Sequence, residues 1–147
     1  MLCQPRVRPR QVRRPHGGHR GLLLRDRDGP DRAGLYNNRG LCYAEAGDDG
    51  EAIRDYTRAI ERNPDLAKAW HNRGSALSRQ GRHERALADF ERAIALDPSD
   101  PQVYRNRAVA LLHLGAYERA RQDVATCRRL GGTPDPKLVQ ALSDATR

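Results

Sequence analysis

The feature that most constrains this chain is a phrase that recurs every 34 residues. Each copy places an aromatic residue two positions before an asparagine, followed by an arginine and then by glycine or alanine. The copies are Tyr36–Gly40, Trp70–Gly74 and Tyr104–Ala108. Self-similarity at this period indicates that one supersecondary unit is stacked several times. Such an array needs no single central core, because each unit is stabilised by its neighbours.

The middle unit predicts two antiparallel helices. The first runs from Ala67 to Gln80 and is ended by Gly81, since glycine readily adopts the left-handed conformation that closes a helix. The second has one apolar face and is stopped before Pro98, which lacks a backbone donor. The small Gly74 is expected to let the two helices approach closely.

These units resemble the tetratricopeptide repeat, a 34-residue helix hairpin with the pattern W-x2-L-G-x2-Y…A-x3-F…P. The matching slots are Tyr36, Gly40, Tyr43, Ala52, Tyr56, Ala59 and Pro64; then Trp70, Gly74, Leu77, Ala86, Phe90, Ala93 and Pro98; then Tyr104, Ala108, Leu111, Ala120, Val124, Cys127 and Gly132. Where the family pattern has leucine before the glycine, this chain has Arg39, Arg73 and Arg107. The resemblance implies an all-α fold, a right-handed superhelical α-solenoid of three helix hairpins plus a C-terminal capping helix.

Composition and repeat register divide the chain into three parts. Residues 1–32 hold nine arginines and three aspartates, with prolines and glycines that break helix, and are predicted to be disordered. Residues 33–134 hold the repeats, at 33–66, 67–100 and 101–134. Residues 135–147 are predicted to form the capping helix, because Asp135-Pro136 repeats the cap-plus-proline signal of Asp100-Pro101.

The arginine-rich tail leaves two interpretations open. It could bind nucleic acid through phosphate contacts, and the helix hairpins would then only dock a partner. The favoured alternative is a solvated segment, since no aromatic residue lies among the arginines to stack on bases. His16 and His19 have no companion ligands in the tail, so neither a metal site nor a cofactor is predicted.

Several other classes are disfavoured. No apolar run is long enough to span a membrane. The three cysteines lack the spacing of a disulfide framework, which favours a cytoplasmic protein with free thiols at Cys42 and Cys127. No phosphate-binding glycine loop, catalytic carboxylate pair or activated nucleophile is apparent, so the chain is predicted to be non-enzymatic.

The recurring arginines have recurring carboxylates 16 residues later. The pairs are Arg39 with Asp55, Arg73 with Asp89, and Arg107 with Asp123. Sixteen residues span one helix, a turn and part of the returning helix, so each pair is predicted to form a salt bridge inside its own hairpin. This structural role is favoured over ligand binding, because a partly buried charge is rarely left unpaired.

The functional hypothesis rests on the recurring asparagines Asn38, Asn72 and Asn106. By resemblance, the outward face of the first helices lines a concave groove, where amides suit an extended peptide backbone. The predicted peptide-binding residues are Asn37, Asn38, Leu41, Lys68, His71, Asn72, Ser75, Arg79, Gln102, Arg105, Asn106 and Val109. Glu45 and His113 belong to the same strip. The favoured function is a protein-interaction scaffold whose peptide has an acidic residue near Arg79 or Arg105; merely solvated asparagines remain the alternative.

One family subclass is disfavoured. Family members that grip the C-terminal carboxylate of chaperones use lysine and asparagine in one unit, asparagine in the next, then lysine and arginine. The corresponding positions here are Asn37, Leu41, Asn72, Gln102 and Asn106, and only Asn72 agrees.

Overall fold

A computed structural model describes residues 32–146, which form seven α-helices and no strand. The helices are α1 (Ala33–Glu45), α2 (Asp49–Arg62), α3 (Ala67–Arg79), α4 (His83–Leu96), α5 (Pro101–His113), α6 (Tyr117–Arg129) and α7 (Pro136–Asp144). The first helix of the middle unit, expected from Ala67 to Gln80, ends one residue earlier, at Arg79. The tail predicted to be disordered lies, apart from Arg32, outside the described residues.

The helices pack as three hairpins, α1/α2, α3/α4 and α5/α6, followed by α7. The second helix of each hairpin also packs on the first helix of the next one, and α7 lies against both α5 and α6. The backbones of the first helices approach each other between adjacent hairpins. Second helices lie further apart, and α4 and α6 meet through the side chains of Glu91 and Arg119. The array is therefore an all-α solenoid, as predicted, and its concave surface is formed by α1, α3 and α5.

Glycines in the left-handed conformation close the first helix of every hairpin. Gly47, Gly81 and Gly115 have φ values of 82°, 77° and 75°. The residue after each glycine donates its N–H back to the last turn of the helix, as Arg82 does to the carbonyl of Leu77 at 3.0 Å. Orphan carbonyls at the helix end are satisfied in this way. The predicted role of Gly81 is confirmed.

The two helices of a hairpin approach most closely at the small residue of the repeated phrase. A Cβ atom at Gly74 would lie 2.8 Å from Cε1 of Phe90 and 3.2 Å from the carbonyl oxygen of Ala86. The third hairpin has Ala108 at this position, and there the aromatic residue of the second helix is replaced by the smaller Val124. The packing partner therefore decides whether a methyl group fits.

Each of the three predicted salt bridges is present. The arginine Nε and one terminal nitrogen donate to both oxygens of the aspartate, at 2.6 and 2.8 Å in the first hairpin, 2.7 and 2.9 Å in the second, and 2.7 and 2.7 Å in the third. Asp55, Asp89 and Asp123 are all buried. Each guanidinium also lies over the aromatic ring of its own helix, at 5.0 to 5.8 Å from the ring centroid. Such charge-assisted, bidentate contacts are the strongest class of hydrogen bond in proteins.

The terminal helix completes the last hydrophobic cluster. Leu138 and Leu142 are buried against α5 and α6. Asp135 accepts a hydrogen bond from the N–H of Lys137 at 2.8 Å, which confirms the predicted helix cap. Arg121, which replaces an apolar residue of the earlier hairpins, donates to the carbonyl oxygen of Leu142 at 2.8 Å.

The cysteine prediction is half right. Cys127 is free and buried, as expected. Cys42 is disulfide-bonded, so the prediction of a free thiol there is wrong. Its side chain is only half-buried on α1, and so it is not enclosed by the packing that protects Cys127.

Candidate functional site

Two of the three predicted groove asparagines join consecutive hairpins. The amide nitrogen Nδ2 of Asn72 donates to Oδ1 of the buried Asn37 at 3.0 Å. Nδ2 of Asn106 lies 2.8 Å from Nε2 of His71 and donates to Oγ of Ser75 at 3.0 Å. The expected ladder of open amides is therefore present only in part, because a neighbouring helix lies within reach of each donor. The amide oxygens of Asn72 and Asn106 make no hydrogen bond with any other described residue.

The remaining predicted residues are distributed along the same face. Asn38 is half-buried and has no hydrogen-bonding partner among residues 32–146. Leu41 is 37% exposed, and Lys68 and Gln102 are exposed on the first turns of α3 and α5. Asn38, Leu41, Lys68 and Gln102 do not line the cleft described below.

The basic residues of the groove differ in what they contact. Arg79 forms a bidentate salt bridge with Asp49 of the preceding hairpin, with the shortest contact at 2.7 Å. Arg105 is half-buried on α5 and makes neither a hydrogen bond nor an ion pair with any residue in the described part of the chain. Because a half-buried charge is normally compensated, Arg105 is the better place for an acidic group of a ligand.

A cleft lies between the C-terminal halves of α3 and α5, and we call it the α3/α5 cleft. Its volume is about 470 Å³. It is lined by Ser75, Ser78, Arg79, Gly81, His83, Phe90, Asn106, Val109 and His113. None of these nine residues is acidic. The cleft combines an apolar floor with hydroxyl, imidazole and guanidinium groups around it, a mixture that is typical of sites that orient a ligand.

The α3/α5 cleft brings together four of the predicted site residues, Ser75, Arg79, Asn106 and Val109. His113, which the groove strip also contained, lies at the same place. Sequence analysis missed Ser78, His83 and Phe90. Ser78 and His83 lie around the turn that connects α3 to α4, which the groove strip did not include. Phe90 borders the cleft from the second helix, and its side chain is fully buried.

His71 is held as a neutral imidazole by its neighbours. Its Nε2 faces the amide donor of Asn106 and must accept, so the ring proton lies on Nδ1, 3.9 Å from Oδ2 of Asp100. Burial lowers the pKa of His71, and Arg105 adds to this, while Asp100 opposes it. Protonation would place a second donor opposite Asn106 and break that contact.

We therefore expect acid to destabilise the array through His71. Because its pKa in the folded state is below that of the unfolded chain, this contribution is present above about pH 6.5 and is lost as the pH falls through the folded-state pKa. Urea unfolding should show a loss of about 1 kcal/mol between pH 7.5 and 5.5, the usual worth of one hydrogen bond. In His71→Gln, which can accept from Asn106 but does not titrate, most of this loss should disappear. An equal loss in both proteins would contradict the assignment.

Two further features concern the described residues only. No helix among them is both long and apolar enough to cross a bilayer. Within residues 32–146, no group of three or more histidine, cysteine, aspartate or glutamate side chains could hold a metal ion.

Comparison with solved structures finds close similarity of fold. The second TPR domain of human RPAP3, in complex with the HSP70 peptide SGPTIEEVD, is 30% identical, with a TM-score of 0.71 over 81% of this chain and 99% of that domain. The second TPR of Spaghetti (RPAP3), bound to the HSP90 peptide SRMEEVD, is 31% identical, with a TM-score of 0.68 over 69% of this chain and 94% of that one. The TPR2B domain of yeast Sti1, in a complex with pHsp70, is 26% identical, with a TM-score of 0.71 over 78% and 96%.

Comparison with curated proteins finds no match. Two family models match the chain, and both describe the tetratricopeptide repeat. One matches residues 33–66 and 67–100, and the other matches residues 90–122. Together with the helix hairpins, the repeated glycines and the solved relatives, these matches show that the chain belongs to the tetratricopeptide repeat family.

Proposed function

We propose that this protein is a non-enzymatic scaffold that binds an extended, acidic segment of a partner protein along α1, α3 and α5. The observation that carries the proposal is Arg105, a half-buried arginine of α5 that makes no ion pair with any described residue. The arginines of the three hairpin salt bridges, in contrast, are all paired.

The charges of the groove favour an acidic ligand. Arg105 makes no ion pair with any described residue, and Lys68 has only a longer-range interaction with Asp97, whereas Arg79 is neutralised by Asp49. Two of the related domains were solved with peptides that contain the acidic sequence EEVD. Acidic peptides are therefore the natural first ligands to test on this chain.

The bound segment is proposed to lie within the partner chain and not at its C-terminus. The residue set expected for a terminal-carboxylate clamp is matched at Asn72 alone, and the Asn72 amide nitrogen already donates to Asn37. No cation stands at the other four positions, which are Asn37, Leu41, Gln102 and Asn106. A free terminal carboxylate should therefore add little affinity.

Isothermal titration calorimetry with the peptide SRMEEVD tests the proposal. We expect a dissociation constant on the order of micromolar, as for small transient interfaces, and the same value within about twofold for the C-terminal amide, since the clamp lacks its cations. Arg105→Gln should weaken binding about tenfold, the effect of losing one charge-assisted hydrogen bond of about 1.5 kcal/mol.

Matched controls make this result interpretable. Arg92→Gln removes an exposed arginine from α4, outside the groove, and should bind like the parent. The peptide SRMQQVN, in which amides replace the carboxylates, should bind at least about tenfold more weakly. Equal binding of the acidic and amide peptides, or full affinity in Arg105→Gln, would refute the groove proposal.

The alternative of nucleic-acid binding through residues 1–32 has no comparable support. That segment lies, apart from Arg32, outside the described residues, and the relatives named above were solved with peptides or protein partners.

A further inference from the structure

The two histidines of the α3/α5 cleft form a stacked pair. The rings of His83 and His113 are 4.4 Å apart at their centroids, with only 6° between their planes. Nδ1 of His83 also lies 3.2 Å from Oγ of Ser78. The pair joins the start of α4 to the end of α5, so it lies where two hairpins meet at the cleft.

This arrangement opposes full protonation of the pair in the free protein. Two imidazolium ions at 4.4 Å repel each other. Partial burial lowers the pKa of His83, and His113 lowers it further, while Glu84 of the same helix opposes the shift. The other charged group of the cleft is Arg79 on α3, whose guanidinium is held by Asp49 of α2.

When the two histidines are neutral, the cleft has no available positive charge, because Arg79 is paired with Asp49. None of its lining residues is acidic. An anion placed there would remove the repulsion between two protonated rings. It would also find a donor in Ser78: once Nδ1 of His83 is protonated and donates to Oγ, the hydroxyl hydrogen is free to turn toward the anion. The aliphatic part of a side chain would pack on Val109, which is only half-buried.

We propose that the α3/α5 cleft binds an anionic side chain of the groove peptide, a carboxylate or a phosphorylated hydroxyl, and that His83 and His113 take up protons as it binds. This inference rests on the proposed function, since the anion is assigned to the same ligand. It gives an anionic group of the peptide a second contact, separate from the contact at Arg105, and it makes peptide affinity depend on pH.

The sign of the pH effect follows from linkage. Because the anion prefers the protonated pair, affinity rises as the pH falls, by up to about tenfold per pH unit for each proton taken up. The rise ends once the pair is already protonated in the free protein. Below about pH 4.5 a carboxylate ligand becomes neutral and binding is lost, whereas a phosphate monoester keeps one negative charge.

The experiment uses the full chain with isotope-labelled histidine and follows the ring signals of His83 and His113 by NMR. Inorganic phosphate and the peptide SRMEEVD are titrated at pH 7.5 and 6.0, with chloride at matched ionic strength, after circular dichroism has shown equal helix content at both values. We expect both probes to shift both rings, and the peptide to bind about five- to tenfold more tightly at pH 6.0.

The double variant His83→Gln/His113→Gln should lose this pH dependence while it retains binding through Arg105. A matched control, His16→Gln/His19→Gln, removes two histidines elsewhere and should behave like the parent. His71 is present in both variants, so its own titration cancels in the comparison.

The outcomes separate the two proposals. Peptide binding with unmoved ring signals, or a pH dependence that survives in His83→Gln/His113→Gln, overturns the anion site and leaves the groove proposal intact. Proton-linked phosphate binding without peptide binding at either pH supports the anion site and overturns the groove proposal. If neither probe shifts the rings, the anion site is refuted. A further titration below about pH 4.5, with peptides that carry glutamate or phosphoserine, distinguishes the two anions, because only the phosphate then keeps a negative charge.

Discussion

Replacing Arg73 with leucine is expected to lower the free energy of unfolding by about 2–4 kcal/mol. Removing one partner of a buried ion pair costs about 3–5 kcal/mol. We expect a slightly smaller loss here because the Arg73 side chain is 20% exposed. Asp89, only 4% exposed, would keep its charge without its bidentate partner. The variant also loses the contact of the guanidinium with the Trp70 ring at 5.0 Å.

The double variant Arg73→Leu/Asp89→Leu should recover part of this loss, because no unpaired carboxylate remains. Urea unfolding of the parent, both single variants and the double variant measures the coupling. The pair Arg119 and Glu91 is the control, since these side chains are 54% and 52% exposed and 3.3 Å apart. Exposed pairs couple by about 0.2–1 kcal/mol. Strict additivity at Arg73 and Asp89 would show that the buried salt bridge does not stabilise the hairpin.

Gly74→Ala is expected to destabilise the array by about 1–3 kcal/mol, although alanine is the better helix former by about 1 kcal/mol. The added Cβ would lie 2.8 Å from Cε1 and 3.0 Å from Cδ1 of Phe90, and 3.2 Å from a backbone oxygen of Ala86. The ring of Phe90 is fully buried, so it cannot move away without disturbing other core residues. Thermal unfolding followed by circular dichroism measures the loss.

Two variants control the interpretation. Gly50→Ala adds a methyl group at a helical position with no atom within 4 Å, so it should be neutral or stabilising. Gly74→Ala/Phe90→Val reproduces the pairing of Ala108 with Val124 in the third hairpin, and its loss should be smaller than the sum of the two single losses. If Gly74→Ala is as stable as the parent, close approach is not the reason for glycine at this position.

Contacts inside one hairpin could be predicted from the sequence because each appears three times at a constant offset. The arginine and aspartate residues recur 16 positions apart, which one helix hairpin brings together, and all three pairs form. The left-handed glycines and the cap at Asp100 were predictable from local conformational preference alone. Each signal is weak by itself, but its recurrence along the chain made the contacts inside a hairpin predictable.

Contacts between hairpins were decided by the tertiary structure. Asn72 reaches Asn37, and Asn106 reaches His71, both at an offset of 35 residues. Arg79 reaches Asp49, and His113 reaches His83, both at an offset of 30. These offsets depend on how far one hairpin is rotated and shifted on the next. The 34-residue period of the sequence determines neither this rotation nor this shift.

The sequence by itself therefore determined the unit, its fold and its internal salt bridges, and it predicted the face on which a ligand would bind. The tertiary structure decided which polar groups on that face remain available, because each first helix satisfies donors of the helix beside it. It neutralised Arg79 and left Arg105 without an ion pair among residues 32–146. It also placed His83 against His113, since stacking of one hairpin on the next brings the start of α4 to the end of α5.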